Sequence, residues 1–324
     1  MKKIFLILLL GLFVFTGCSK YNESSIKNDL NKNINNIKGY HLVGKLDVYN
    51  GDNTYRYKVE SSYYKDKYRV SLINRKNNHE QIIIKNDDAV YVLNPNLNKS
   101  YKFQSRWPEN SSQIYLLQSL LGDINNDKNM KLVKKKDSYI IETKLAYSNN
   151  KNLVKEKIYL DKNLDINKVE VFDENDNLQM RFKIEELDKK AVFNNKYFDI
   201  NENMNTDTEE TKETIKEIDD TIYPMYLPSG TYLSSEETVS KTDGERIILT
   251  FSGETPFIMV QETVNLDKEV MSVSGDPEFI TDTVGAISDN SIEFISNGIE
   301  YYISSETMSS NEMMQVERVY HQLQ

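Results

Sequence analysis

The sequence predicts a mainly β chain of the α+β class: a large, curved antiparallel sheet followed by a smaller α+β domain. From Tyr40 to Glu186 apolar residues recur at every second position, the period of a half-buried strand, and only two stretches before residue 200 keep helical spacing. The run 201–222 is acidic and polar, with almost no large apolar side chain, and separates this region from a second block of alternating sequence.

The first element is a helix over residues 24–38. Ile26, Leu30, Ile34 and Ile37 fall on one face, Ser24 or Ser25 stands where a cap is needed, and Gly39 ends it. At Tyr40 the period switches to two, with Tyr40, Leu42, Gly44, Leu46 and Val48 opposed to His41, Lys45 and Asp47. Asn50-Gly51 supplies the positive φ angles of a tight hairpin turn. Tyr55, Tyr57 and Val59, then Tyr68, Val70 and Leu72, continue the pattern as two further antiparallel strands. Strand signals follow at 81–85, 89–93 and 100–104, with Asn94-Pro95-Asn96 as a turn. Residues 111–121 place Ile114, Leu117, Leu120 and Leu121 at helical spacing, closed by Gly122. Strands resume at 131–135, 138–144, 154–160, 167–172 and 178–186. A meander of about ten or eleven strands has to curl or close, because twist accumulates across a sheet and edges need protection. After the acidic run, Tyr223-Pro224 restarts ordered sequence, with strands at 232–240, 246–252, 257–263, 291–295 and 299–304. Ser309 and Glu312 have capping-box spacing and open a final helix carrying Met313, Val316, Val319 and Tyr320.

The N-terminus carries a different signal. Two lysines precede an apolar run from Ile4 to Phe15, and Thr16-Gly17 leads into Cys18, the single cysteine of the 324 residues. This is the layout of a lipoprotein leader, 1–17, cleaved ahead of a cysteine that then carries lipid. The apolar run could instead start a membrane span, but such a span needs about 20 residues and Lys20 closes this one early; the thiol could instead sit in a core. With lipid on Cys18 the membrane is a partner of the chain, and its work lies on the extracytoplasmic face. Two acyl chains on one thioether anchor stably where one binds only reversibly.

Composition narrows the chemistry. Forty basic and 50 acidic residues give a formal charge of −10, which argues against nucleic acid as a ligand. One cysteine forms no internal disulfide, so packing alone holds an extracytoplasmic fold. The three histidines, His41, His79 and His321, are far apart and in no metal-binding spacing. The serines of Pro228-Ser229-Gly230 and Phe251-Ser252-Gly253 lack a nucleophile elbow. Asp173 to Asn177 imitates a calcium loop, as do Asp123, Asn125 and Asp127, but Leu178 and Lys128 stand where that loop requires glycine. No cofactor, no metal and no enzymatic activity are expected.

Residues Ile37-Lys38-Gly39-Tyr40, Lys65 to Val70, Ile82-Ile83-Ile84 with Ala89 to Pro95, the Leu116 to Leu121 helix and Asn167 to Asp173 together resemble the LolA-like lipoprotein-carrier domain. The whole arrangement is similar to sporulation and germination lipoproteins of the GerS and YdcC type, and Tyr226 to Gly230 resembles the entry to the C-terminal domain of RseB/MucB-type regulators. The resemblance implies a half-barrel over 18–200 with helices in its concavity, an acidic linker over 201–222, and a small α+β domain over 223–324. It implies a concave face able to hold acyl chains, with Tyr55, Tyr57, Tyr68, Val70, Tyr91, Leu116 and Leu120 as the candidate lining. The same residues would equally fill a solid core, since one face of any such sheet is buried. It further implies either an accessory protein that binds a partner such as a cell-wall amidase, or a sensor of lipid or lipopeptide. A tether on Cys18 argues against a shuttle between membranes, which has to be free of either one.

Overall fold

The computed structural model describes residues 21–51, 53–108, 113–147, 150–205, 218, 220–224, 226–242, 244–265, 269–280 and 282–318. Cys18 and the leader, most of the acidic stretch, Val319, Tyr320 and His321 lie outside the described residues.

Helix α1 (Glu23–Asn35) leads into six strands: β1 (Gly39–Asn50), β2 (Asn53–Tyr64), β3 (Lys67–Asn74), β4 (Glu80–Lys85), β5 (Val90–Asn94) and β6 (Lys99–Phe103). Helix α2 (Leu117–Asn126) follows, then β7 (Lys131–Lys134), β8 (Ser138–Lys144), β9 (Lys155–Asp161), β10 (Ile166–Phe172) and β11 (Leu178–Asp188). These eleven strands form one antiparallel sheet in the order β6-β5-β4-β3-β2-β1-β11-β10-β9-β8-β7. The sheet stays open, as the half-barrel reading requires, because β6 and β7 do not pair among the described residues.

Two helix ends depart from expectation. Asn22, not Ser24 or Ser25, caps α1: its side chain accepts from the Ser25 amide at 2.8 Å, and the Ser25 hydroxyl accepts from the Asn22 amide at 2.9 Å. The reciprocal pair satisfies two amides that a helix start otherwise leaves open. Helix α2 begins later than expected and runs through Gly122 to Asn126. Ile124 is fully buried and extends the stripe of Leu117, Leu120 and Leu121, so core packing outweighs the ~1 kcal/mol that glycine costs inside a helix. Nothing stands within 4 Å of where a Gly122 side chain would begin, because that face of the helix borders a cavity.

Both helices lie on the same side of the sheet. Ile26, Leu30 and Ile34 of α1 and the apolar stripe of α2 share one core with Leu42, Leu46, Val59, Val70, Ile158, Val169 and Phe182. The opposite face of β4 and β5 is covered by the segment after β11. Phe198 and Met204, the latter in the short helix α3 (Ile200–Met204), bury Ile82, Ile84, Tyr91 and Leu93 in a separate cluster. The start of the predicted linker is therefore packed onto the first domain. Near its far end Ile218 is buried in the core of the second.

The second region contains β12 (Thr231–Lys241), β13 (Gly244–Gly253), β14 (Phe257–Thr263), β15 (Glu269–Val273), β16 (Asp276–Ile280), β17 (Thr283–Ile287), β18 (Ser291–Ser296), β19 (Ile299–Ser304) and helix α4 (Ser310–Arg318). Seven of them form an antiparallel sheet in the order β12-β13-β14-β19-β18-β17-β16. Met313, Met314 and Val316 of α4 pack on its inner face, and the Ser309/Glu312 box is present, with the Ser309 amide donating to Glu312 at 2.8 Å. The exception is β15. It leaves this sheet and joins the first one, pairing in parallel with β6 from Glu269↔Lys99 to Val273↔Phe103.

Candidate functional site

The site to test is the concave, helix-bearing face of the half-barrel. β2 and β3 bring Tyr57 and Val70 there, each almost fully buried, and Tyr68 follows two positions from Val70 on the same strand face. Leu116 and Leu120 project onto that face from the α2 side and are buried, while Tyr55 is half-buried at its border. Tyr91 is not there. Ladder pairing sets Val70 opposite Ile83 and Ile83 opposite Val92, which leaves Tyr91 opposite Ile84 on the outer face beneath Phe198. Its assignment to the lining is corrected on that ground: a strand buried on both faces offers apolar residues of either parity.

Much of the concavity is occupied by the chain itself. Phe279 from β16 enters against Tyr57, with ring centroids 5.7 Å apart, and against Tyr115 at 6.5 Å in an edge-on contact. Tyr115 in turn meets Phe182 at 6.4 Å. Val264, Val284, Ala286 and Ile295 join the same core. Polar bonds fix the seat. The Gln81 side chain donates to the Val284 carbonyl at 3.0 Å and accepts from the Val284 amide at 2.7 Å, imitating a strand partner. The Tyr101 hydroxyl donates to Glu300 at 2.7 Å. Aromatic pairs at this offset geometry add to what the buried area alone contributes.

What remains open is a cavity of about 460 Å³ beside α2, walled by Tyr68, Pro108, Gln118, Ser119, Asp123 and Tyr147 with Asp66 and Lys85 also on its lining. Its chemistry is polar. Tyr147 donates to Asp123 at 2.6 Å, and burial pushes the Asp123 carboxyl up to about 7 despite that bond. Behind it Glu156 on β9 is fully buried with neither carboxylate oxygen hydrogen-bonded. Burial first, and the neighbouring Asp123 second, drive the Glu156 carboxyl well above its ordinary range. Two carboxyls in one low-dielectric site do not both ionise near neutrality. Tyr68 is the one sequence-named lining residue on this cavity.

The remaining polar clusters lie outside this cavity. His41 Nδ1 lies 3.0 Å from Ser62 Oγ, which lies 3.0 Å from the Tyr197 hydroxyl. Ser62 is fully buried, so the chain of bonds ties the 193–198 segment to the sheet and offers no nucleophile to a substrate. Among the described residues no group of three His, Cys, Asp or Glu is placed to hold a metal ion. The Asp173 carboxylate, which the sequence set beside a calcium loop, accepts instead from the amides of Asn175 at 3.0 Å and Asn177 at 2.8 Å, an ordinary turn.

Sequence reasoning missed Glu156, Tyr147 and Phe279. For Glu156 a signal existed: it has the parity of Ile158 and Leu160 in Lys155–Asp161, so alternation alone turned a charge inward. Phe279 had none, because β16 shows no alternation, being buried from Pro277 to Ile280.

The profile of the family described as "Sporulation protein YdcC-like" matches residues 1–198. The chain is 33% identical to sporulation protein YdcC of Bacillus subtilis (strain 168) over 324 residues, covering 97% of this chain and 96% of that one. It is similar to a chain of the Pseudomonas aeruginosa MucA/MucB complex, with 12% identity, 91% of this chain and 97% of that chain covered, and a TM-score of 0.33. It is also similar to a chain of the Clostridioides difficile CwlD amidase complex with the GerS lipoprotein, with 18% identity over 54% of this chain and 98% of that chain, and a TM-score of 0.30.

Proposed function

The chain belongs to the family of YdcC-like sporulation proteins, and on that premise we propose that it is a non-catalytic lipoprotein of the cell envelope. In this reading it is held on the extracytoplasmic face of the membrane through Cys18 and works in sporulation or germination by binding and supporting a protein partner. A cell-wall amidase is the partner to test first.

The observation that carries this reading is the filled concavity. Phe279 fills the aromatic seat against Tyr57 and Tyr115, and the space left over, though Tyr68, Pro108 and Tyr147 border it, carries Asp66, Lys85, Gln118, Ser119 and Asp123 on its wall. Methylenes placed there would strip water from polar groups without replacing its hydrogen bonds, a cost of about 1–3 kcal/mol per group. Surface, more than cavity, is what the fold offers. Tyr223, Tyr226, Tyr232 and Tyr302 are exposed on the second domain, and aromatic residues are enriched where proteins meet.

Two measurements test the reading. Mature protein drawn from sporulating cells is expected to bring down a murein amidase in near-stoichiometric amount, with little extractable lipid. Abundant bound lipid with no hydrolase would turn the assignment to the lipid or lipopeptide sensor. Labelled palmitate is expected in the wild-type protein and absent from Cys18→Ala, which should leave the membrane fraction; label in neither protein, or in both, defeats the anchor.

A further inference from the structure

We propose that the β7–β8 hairpin is a membrane-facing surface that binds anionic phospholipid headgroups and sets the orientation of the tethered protein. This rests on the anchor at Cys18 and goes beyond it: the anchor says where the chain is attached, and the hairpin says which side faces the bilayer.

Three observations support it. The first is where the described chain begins. Tyr21 is buried, its ring edge-on to Tyr139 of β8 at 5.4 Å between centroids. Only Ser19 and Lys20 separate Cys18 from Tyr21, three Cα-to-Cα steps that reach at most about 11 Å. Whatever lipid Cys18 carries is therefore held next to this hairpin. The second is charge. Lys134 stands directly opposite Tyr139 in the ladder, and Lys135 and Lys136 follow in the turn, all exposed. Lys131, on the same strand, is also exposed and lies 3.7 Å from Glu142. Asp137 is the acidic residue within the turn. The chain as a whole carries −10, so an anionic bilayer repels most of its surface and attracts this corner. The third is an apolar group on the other face of the same ribbon: Val133 of β7, paired with Ile140, is 48% exposed, a side chain that the headgroup region accommodates and water does not favour.

Lysines on an edge strand also blunt sheet-to-sheet pairing. That explains Lys131 and Lys134, but Lys135 and Lys136 lie past the strand end, where there is no edge to guard. Basic residues act on an anionic leaflet only within about a Debye length of it, and so short a tether keeps them there.

The test couples the mature chain from Cys18, which keeps every described residue, through its only thiol to maleimide lipid in vesicles. Orientation is thus measured whether or not cells lipidate Cys18, and palmitate labelling judges the anchor separately. Reductive methylation of lysines is read by mass spectrometry in phosphatidylcholine vesicles and in vesicles containing phosphatidylglycerol. Expected is a slowing of roughly threefold or more at Lys134, Lys135 and Lys136 with phosphatidylglycerol, lost in high salt, while Lys241 on the second domain is unchanged. The variant Lys135→Glu/Lys136→Glu should abolish protection at Lys134 without altering thermal unfolding. Equal labelling in both kinds of vesicle would overturn the proposal, and so would protection that survives the double substitution or high salt.

Discussion

Phe279→Ala is expected to cost about 3–5 kcal/mol and to uncouple the two regions of the chain. The ring is seated between Tyr57 and Tyr115 in a core shared by both regions, so its removal leaves a void that neither side can fill by a small shift. Urea unfolding followed by circular dichroism checks this. The wild-type protein should unfold in one transition, whereas the variant should show two, the second region melting first. A single transition displaced by less than about 1 kcal/mol would mean that the ring is a surface contact and that the concavity is not sealed by it. The same variant should gain capacity for apolar probes, because the emptied seat is lined by aromatic and aliphatic groups.

The second large effect is a pH dependence centred on Glu156. Its carboxyl is raised well above the ordinary range, chiefly by burial, and Asp123 is raised to about 7 for the same first reason. Between the ordinary carboxylate range and these raised values the folded state holds protons that the unfolded chain has released. Stability therefore falls as pH rises through that window, and it is fullest below pH 4 to 5 as far as these two groups are concerned. The pair thus withdraws stability from the folded chain as pH rises toward 8. Glu156→Gln keeps the shape and removes the titration. The variant should match the wild type at pH 5 and exceed it at pH 8, where urea midpoints measure the difference. Parallel losses in the two proteins from pH 5 to pH 8 would show that Glu156 does not carry the effect.

Most of the first sheet is legible in the sequence because one of its faces is wetter than the other. In β1 and β9 the alternation of buried and partly exposed residues is the alternation written in the sequence. The signal fades where that contrast disappears. Residues 283–287 are buried throughout, and 276–280 nearly so, and neither stretch reads as a strand from its pattern. Tyr91 falls on the unexpected face for the same reason, since every residue of β5 is buried and only the ladder to Ile84 decides its side. The filling of the concavity is beyond reach in principle: it depends on a contact between Tyr57 and Phe279, and no local period encodes so distant a partner. Glu156 shows the opposite situation. Its inward parity is plain, and the missing step is to ask why a charge should point inward at all.

The parallel pairing of β15 with β6 means that the first sheet is completed by residues near the end of the chain. A polypeptide made from its N-terminus would expose the amides and carbonyls on the outer edge of Lys99–Phe103 until Glu269–Val273 had followed. Completion of this half-barrel thus waits until Glu269–Val273 are available, and a version ended at the acidic stretch would carry an adhesive margin in place of a finished domain.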